Sequence, residues 1–355
     1  MNLFKNPLAM GISLSIGSIE PKMNSEIENF KLEQRVEELY LEKSVSPLSL
    51  TNMPDVVMRE ILGKLDIRAV QILRKVCHSL RSFIDDTRRN GEISSIKLIT
   101  NPNSINVVYD GKYEVIYRKH EVGCLVEHQR RAKLFRKETC FEMLLGDLNL
   151  ILGAQKTLLK MLGIYLREPS TPFLPFLKTF LESKPRPLSV ETLQIEVGKQ
   201  SEVMDVLPYL ESKKLKNIRI YASSGRNEMM EIDRIVELNQ WKMAEKVTLE
   251  RWIHRKHFVD FGHLKEVLLS TYKINSEELI ELKEMFLNSS TLQQFLFPYL
   301  DLHDDQNFLH KKNRYFRMKN SDSDVLNVRH IPMNKIINFN RLKISEVPKD
   351  KIIEF

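Results

Sequence analysis

The chain has 355 residues, of which 42% are hydrophobic and 28% charged, and its 54 Lys plus Arg exceed its 47 Asp plus Glu to give a net charge of +7. That balance is globular and large enough for about two domains; it excludes collagen-like and low-complexity chains, and it permits an acidic partner without demanding one. The three cysteines, Cys77, Cys124 and Cys140, have no CxxC spacing and exclude a disulfide framework, which fits a reducing, intracellular compartment, and no apolar run reaches the roughly 18 residues that span a bilayer, so no membrane partner is expected.

Residues 1–46 read as a largely disordered leader. Leu8 to Ile19 is apolar but broken by Ser and Gly, which suits a tail better than a secretory signal. Between Ser25 and Lys43, Ile27, Phe30, Val36, Leu39 and Tyr40 fall loosely on one helical face.

Residues 47–90 form a compact helical pattern. Asn52 is the expected cap of a helix with Pro54 and Asp55 in its first turn. Val57, Met58, Ile61, Leu62 and Leu65 then repeat with helical period. Asp66 is the expected cap of a second helix carrying Ala69, Val70 and Leu73. A third carries Val76, Cys77, Leu80, Phe83 and Ile84, with Cys77 expected to be a buried small hydrophobe. Three helices in so few residues bury little surface and lean on a neighbour or a partner.

At these residues the sequence resembles the F-box. Met53-Pro54, Val57-Met58, Ile61-Leu62, Leu65-Asp66, Leu73, Val76-Cys77 and Phe83-Ile84 stand where that motif has its apolar and Leu-Pro positions. Met53 replaces the usual Leu, and Leu80 stands where many members have Trp.

Residues 91–355 read as one further domain with its core at about 170–310. Ile93, Ile96, Leu98 and Ile99 open it as β-like, and Asp110-Gly111 between two Val/Ile/Tyr-rich runs is a hairpin signal. Phe141 to Leu166 reads as helix, with Leu148, Ile151, Leu152, Leu158, Leu159, Leu162 and Tyr165 apolar. The prolines between 169 and 187 mark a loop around one short helix.

From Val190 the template apolar-x-x-apolar-x-apolar recurs five times: Val190, Leu193, Ile195; Leu215, Ile218, Ile220; Ala244, Val247, Leu249; Leu264, Val267, Leu269; and Leu292, Phe295, Phe297. Helical patterns separate the copies, which predicts parallel strands with crossover helices. The expected fold is therefore mixed α/β: a three-helix F-box followed by a divergent leucine-rich-repeat-like α/β solenoid. The positions that would carry a turn-satisfying Asn hold Gly198, Ser223, Trp252, Tyr272 and Leu300 instead.

The whole arrangement resembles a large nematode family of F-box proteins with an FTH-type C-terminal domain. The residues carrying the likeness are Gly146 to Leu152 leading into Gln155-Lys156, Lys216 to Ile220, and Trp241 to Ala244. The resemblance implies a non-catalytic substrate-recognition subunit of a Skp–cullin–F-box ubiquitin ligase. The Skp-type adaptor, and through it the cullin, would be held by Met53, Pro54, Val57, Ile61, Leu62, Leu65 and Leu73. An unknown protein substrate would meet the C-terminal domain.

If the five strands are parallel, the open face aligns Gln194, Arg219, Thr248, Leu268 and Leu296, with Glu196, Tyr221, Glu250 and Ser270 in a second row. Mixed charge around Tyr221, Leu268 and Leu296 suits a protein client.

No catalytic motif is present: no GxxxxGK[ST], GxGxxG or GxSxG. No cofactor or metal is expected, and His254, His257, His303, Asp304 and Asp305 read as solvated loop residues. Basic clusters at Arg130-Arg131, Arg251 to His257 and His310 to Arg317 keep an RNA-associated adaptor as a rival, although nearby acids make nucleic acid the less expected partner. A non-ligase protein–protein adaptor is the other rival.

Overall fold

The computed structural model describes residues 50–65, 69–70, 73, 76–87, 93–153, 157–167, 173–223, 229–304, 308–309 and 313–354. The leader, Asp66, Gln155-Lys156, Asp305 and His310 lie outside the described residues. The chain divides into two units, Met1–Gly91 and Glu92–Phe355.

In the first unit, α1 spans Asp55–Lys64 and α2 spans His78–Thr87, with Ala69, Val70 and Leu73 helical between them. The expected Asn52 cap is not made: Asn52 lies in a preceding 3-10 turn and Pro54 occupies the N-cap with ψ 144°. Proline at the entry fixes φ near the value it needs and spends no N–H that the helix could use. Met58 donates its N–H back to the Pro54 carbonyl at 3.0 Å.

The second unit is built on one mixed sheet of sixteen strands among the described residues. It begins with β1 (Ser95–Asn101), β2 (Ser104–Tyr109), β3 (Tyr113–His120), β4 (Gly123–His128) and β5 (Arg131–Arg136), an antiparallel meander. The β2–β3 turn has Asp110 at φ 52° and Gly111 at φ 68°, the two positive values that an Asp-Gly hairpin adopts most readily. Asp110 also accepts from the Ser94 and Ser95 backbone N–H groups at 2.8 and 2.9 Å, tying the turn to the start of β1.

The predicted long helix is half right. Helix α3 covers Cys140–Gly153, but Leu159–Leu166 is a strand, β6, set parallel to β1 and to β7 (Val190–Val197). Its central residues Leu162, Gly163 and Ile164 are buried in succession. A strand covered on both faces loses its polar alternation and cannot be told from a buried helix by period.

Four more parallel strands follow: β8 (Asn217–Ala222), β9 (Lys246–Leu249), β10 (Glu266–Leu269) and β12 (Gln294–His303). They are joined through α4 (Phe173–Glu182, between β6 and β7), α5 (Gln200–Met204), α6 (Asp233–Val236), α7 (Asn239–Lys242) and α8 (Ser276–Asn288), with a 3-10 turn at Arg255–Phe261 serving the β9–β10 crossing. A short strand β11 (Thr271–Asn275) extends β10 and pairs with the far end of β12. Beyond β12 the sheet turns antiparallel again through β15 (Ile336–Lys343), β14 (Asp324–Ile331) and β13 (Asn313–Arg317), with β16 (Ile353–Glu354) added in parallel at the edge.

The core lies between this sheet and its helices. Every apolar residue of the five-fold template is buried. Leu193, Ile218, Val247, Val267 and Phe295 pair in one continuous register row. Trp241 and Phe261 meet edge-on at 5.4 Å, Phe261 meets Phe295 at 6.0 Å, and Phe286 stacks on Phe339 at 6.4 Å, so crossover segments and strands share one aromatic layer.

Candidate interaction surfaces

Two surfaces hold the residues singled out from the sequence, one in each unit. Among the described residues of the first unit, Met58, Val70, Leu80 and Ile84 are the buried apolar side chains. On α1, Met58 and Leu62 stand four apart and share one stripe, while Pro54, Val57 and Ile61 form the adjacent stripe. Pro54 and Val57 are exposed, Val56 and Val76 are more exposed still at 73% and 63%, and Met53, Ile61, Leu62, Leu65 and Leu73 are half-buried. Cys77 is exposed rather than buried; its Sγ accepts from the Leu80 N–H at 3.5 Å, near the start of α2, where a polarisable sulfur meets a helix donor that has no intrahelical partner.

The second surface is the sheet face opposite the buried template. Gln194, Arg219, Thr248, Leu268 and Leu296 pair successively across β7, β8, β9, β10 and β12. Arg219 is exposed, the other four are half-buried, and Glu196 pairs with Tyr221 in the next row. Glu250 and Ser270 lie just past the ends of β9 and β10.

Tyr165 on β6 joins this group and was hidden by the helical reading of its segment. It pairs with Glu196, and its hydroxyl donates to Gln194 Oε1 at 2.7 Å. Burial pushes its pKa up, the neighbouring Tyr221 and Glu196 push the same way, and Arg219 opposes them. Gly163 makes this placement possible: a Cβ there would lie 2.9 Å from Tyr165 Cε2 and 3.2 Å from Lys97 Cγ. Rows nearer the strand starts are paired internally, with Asn217 Nδ2 on Thr192 Oγ1 at 3.0 Å and Lys246 on Glu266 at 2.7 Å.

A second feature that sequence alone did not single out as a site is the ring pair Trp252–Tyr272, with centroids at 4.7 Å. These are two of the positions where an asparagine was missing from the repeat. Tyr272 is 48% exposed and Leu300, the corresponding position after β12's template residues, is 55% exposed.

The basic clusters resolve differently from exposed binding stripes. Arg251 is buried and donates to the Gly198 carbonyl at 2.6 Å, Lys256 pairs with Asp233 at 2.5 Å, and Phe258 is buried. His257 is not a solvated loop residue: it is buried, with Nδ1 2.9 Å from Asp260 and Nε2 3.5 Å from Asp233. Arg314 pairs with Glu354 and lies over Phe308 and Phe316 at 5.1 and 4.7 Å, all within packed structure. Among the described residues no group of three or more His, Cys, Asp or Glu side chains is placed to hold a metal, and no helix is long and apolar enough to cross a membrane.

The F-box domain model matches residues 50–90, which hold the exposed apolar stripe. The FTH domain model matches residues 172–317, which hold α4 through β12 and β13. The chain therefore carries an F-box domain followed by an FTH domain. The chain is similar to F-box A protein 224 of Caenorhabditis elegans, 23% identical over 262 residues, which are 70% of this chain and 66% of that one. The match thus covers just under two thirds of the relative's length. No solved structure matches the chain.

Proposed function

We propose that this F-box protein is the substrate-recognition subunit of an SCF (Skp–cullin–F-box) ubiquitin ligase, acting inside the cell. The observation that carries this reading is the F-box match over residues 50–90 together with Pro54, Val56, Val57 and Val76 exposed beside a small buried core. Exposed apolar side chains in a unit of this size are the mark of a docking surface. Pro54, Val57 and Ile61 are the residues to meet the Skp-type adaptor first; Met53, Leu62, Leu65 and Leu73 support them from half-buried positions.

The C-terminal domain then holds the client. Its parallel run is a divergent leucine-rich-repeat-like solenoid, in which each template copy aligns the next open-face residue. Gln194, Arg219, Tyr221, Thr248, Leu268 and Leu296 are the client-binding residues, with Tyr165 added. Their chemistry is two tyrosines, an exposed guanidinium and two leucines, which suits a protein surface. No catalytic group is required of this chain, because tethering a client next to a ubiquitin-charged enzyme raises its effective concentration.

Co-purification tests the reading. Pro54→Ala with Leu65→Ala should fail to retain the adaptor, and so should Val57→Asp, which leaves the buried Met58 stripe intact. Undiminished retention by both variants overturns the ligase assignment. Client levels after depletion of the chain separate the ligase from a non-ligase adaptor, since only the ligase reading requires clients to accumulate.

A further inference from the structure

The antiparallel flank of the sheet ends in β5, whose outer edge pairs with no strand among the described residues. Such an edge presents backbone N–H and C=O groups at strand spacing. It is also strongly basic: Arg130, Arg131, Lys133, Arg136 and Lys137 are all exposed, and none makes an ion pair with a described residue. The nearest acid on β4, Glu127, is taken by Arg118, whose Nε and Nη2 both lie 3.1 Å from its oxygens. Pairing of Phe135 with Cys124 and of Lys133 with Val126 puts Arg131, Lys133 and Phe135 on one face and Ala132, Leu134 and Arg136 on the other.

Basic residues on an edge strand also serve to prevent self-pairing. That role does not require a cavity at the strand's end, and one is present. It measures about 630 Å³ and is lined by the β1–β2 and β3–β4 turns and by the segment following β5, including Ile105, Val122, Lys137, Cys140 and Phe141. We propose that β5 binds an extended acidic peptide by strand addition, with a large apolar residue of that peptide seated in the cavity beside Lys137. Main-chain pairing supplies affinity in such complexes and a side-chain pocket supplies selection. A protein strand fits this edge better than a nucleic acid does, because the aromatic on it, Phe135, is half-buried with Lys133 4.7 Å above its ring and offers no open platform for bases. The residues involved fall between the two family matches, so the proposal stands apart from the adaptor reading.

Fluorescence anisotropy on the full chain, near physiological salt, tests this with a labelled peptide that alternates Glu with Val and ends in Leu. Binding is expected with Kd below about 100 μM, and replacing the Val residues with Pro, at unchanged charge, should weaken it at least about tenfold. Arg131→Glu with Lys133→Glu and Arg136→Glu should weaken it by a similar factor, and Val122→Trp should abolish the preference for terminal Leu over Gly. Failure of the Glu/Val peptide to bind overturns the proposal. So does equal binding of the Pro peptide or of an oligouridylate, which would reduce the edge to a patch of charge; these comparisons use the unaltered chain and do not depend on how a variant folds.

Discussion

In the F-box unit Val56, Val57 and Val76 stand exposed at 73%, 43% and 63%, whereas in the sheet unit all members of the five-fold apolar template are buried. The difference lies in how far each unit covers its own apolar residues. The sheet unit completes its own core by laying crossover segments on parallel strands. The F-box unit buries Met58, Val70, Leu80 and Ile84 and leaves a second apolar stripe uncovered. A small unit that leaves apolar surface outside its own core has less burial to stabilise it, which is what the proposed docking role would require.

The contrast can be broken most sharply at Phe295. It is buried and touches both Phe261 and Phe297 at 6.0 Å. Phe295→Ala should cost about 3–5 kcal/mol, read from the midpoint of urea unfolding; a loss below about 1 kcal/mol would show that the layer is not the sheet unit's core. Val57→Asp is the counterpart in the F-box. Stability should change by no more than about 0.5 kcal/mol, while adaptor affinity falls by about 2 kcal/mol or more, measured by calorimetry on the co-expressed pair. A parallel drop in melting temperature would place Val57 in the core instead.

Gly163→Val comes next. The added side chain must displace Tyr165 or Lys97, which should cost about 1–3 kcal/mol and loosen client capture on the open face. Arg219→Glu with Tyr221→Ala should remove clients with no loss of stability, so quantitative pull-downs of the two variants separate damage to the sheet from damage to its surface. Clients unchanged in both would remove this face from consideration.

The smallest effect expected is acid dependence at Asp324. Lys343 Nζ lies 2.7 Å away and Arg341 3.8 Å away, and the hydrogen bond from Lys343 is the main cause that holds the carboxyl below its usual range. A depressed folded-state value means the stabilisation is fully present above the unfolded value of about 4 and is lost as pH falls through the folded one. Asp324→Asn should therefore lower the melting temperature at neutral pH and lose that difference in strong acid. An equal deficit at both pH values would mean the pair contributes through packing alone.

Much of the sheet was legible because its burial is one-sided. The five template copies alternate with exposed or half-exposed residues, so the parallel register that aligns Gln194, Arg219, Thr248, Leu268 and Leu296 could be written down from spacing. The Asp110-Gly111 hairpin was legible for a local reason, the ease with which those residues take positive φ. Strands β4 and β5 were not, since their turn uses Gln129 at φ 54°, a residue that gives no turn signal. Strand β14 was not, since Asp324 to Val328 are buried in succession and show no period.

The sequence by itself determined the helix that carries Val57 and Ile61, the apolar template of the parallel strands and the Asp110-Gly111 turn, because each follows from spacing within one segment. Only the tertiary structure decided that Leu159–Leu166 is a strand, that Tyr165 lies across Gly163 toward Gln194, that Trp252 meets Tyr272, and that basic β5 is left as an edge. Those are relations between residues far apart in the chain, and local periodicity carries no record of which distant surface will cover a residue from its second side.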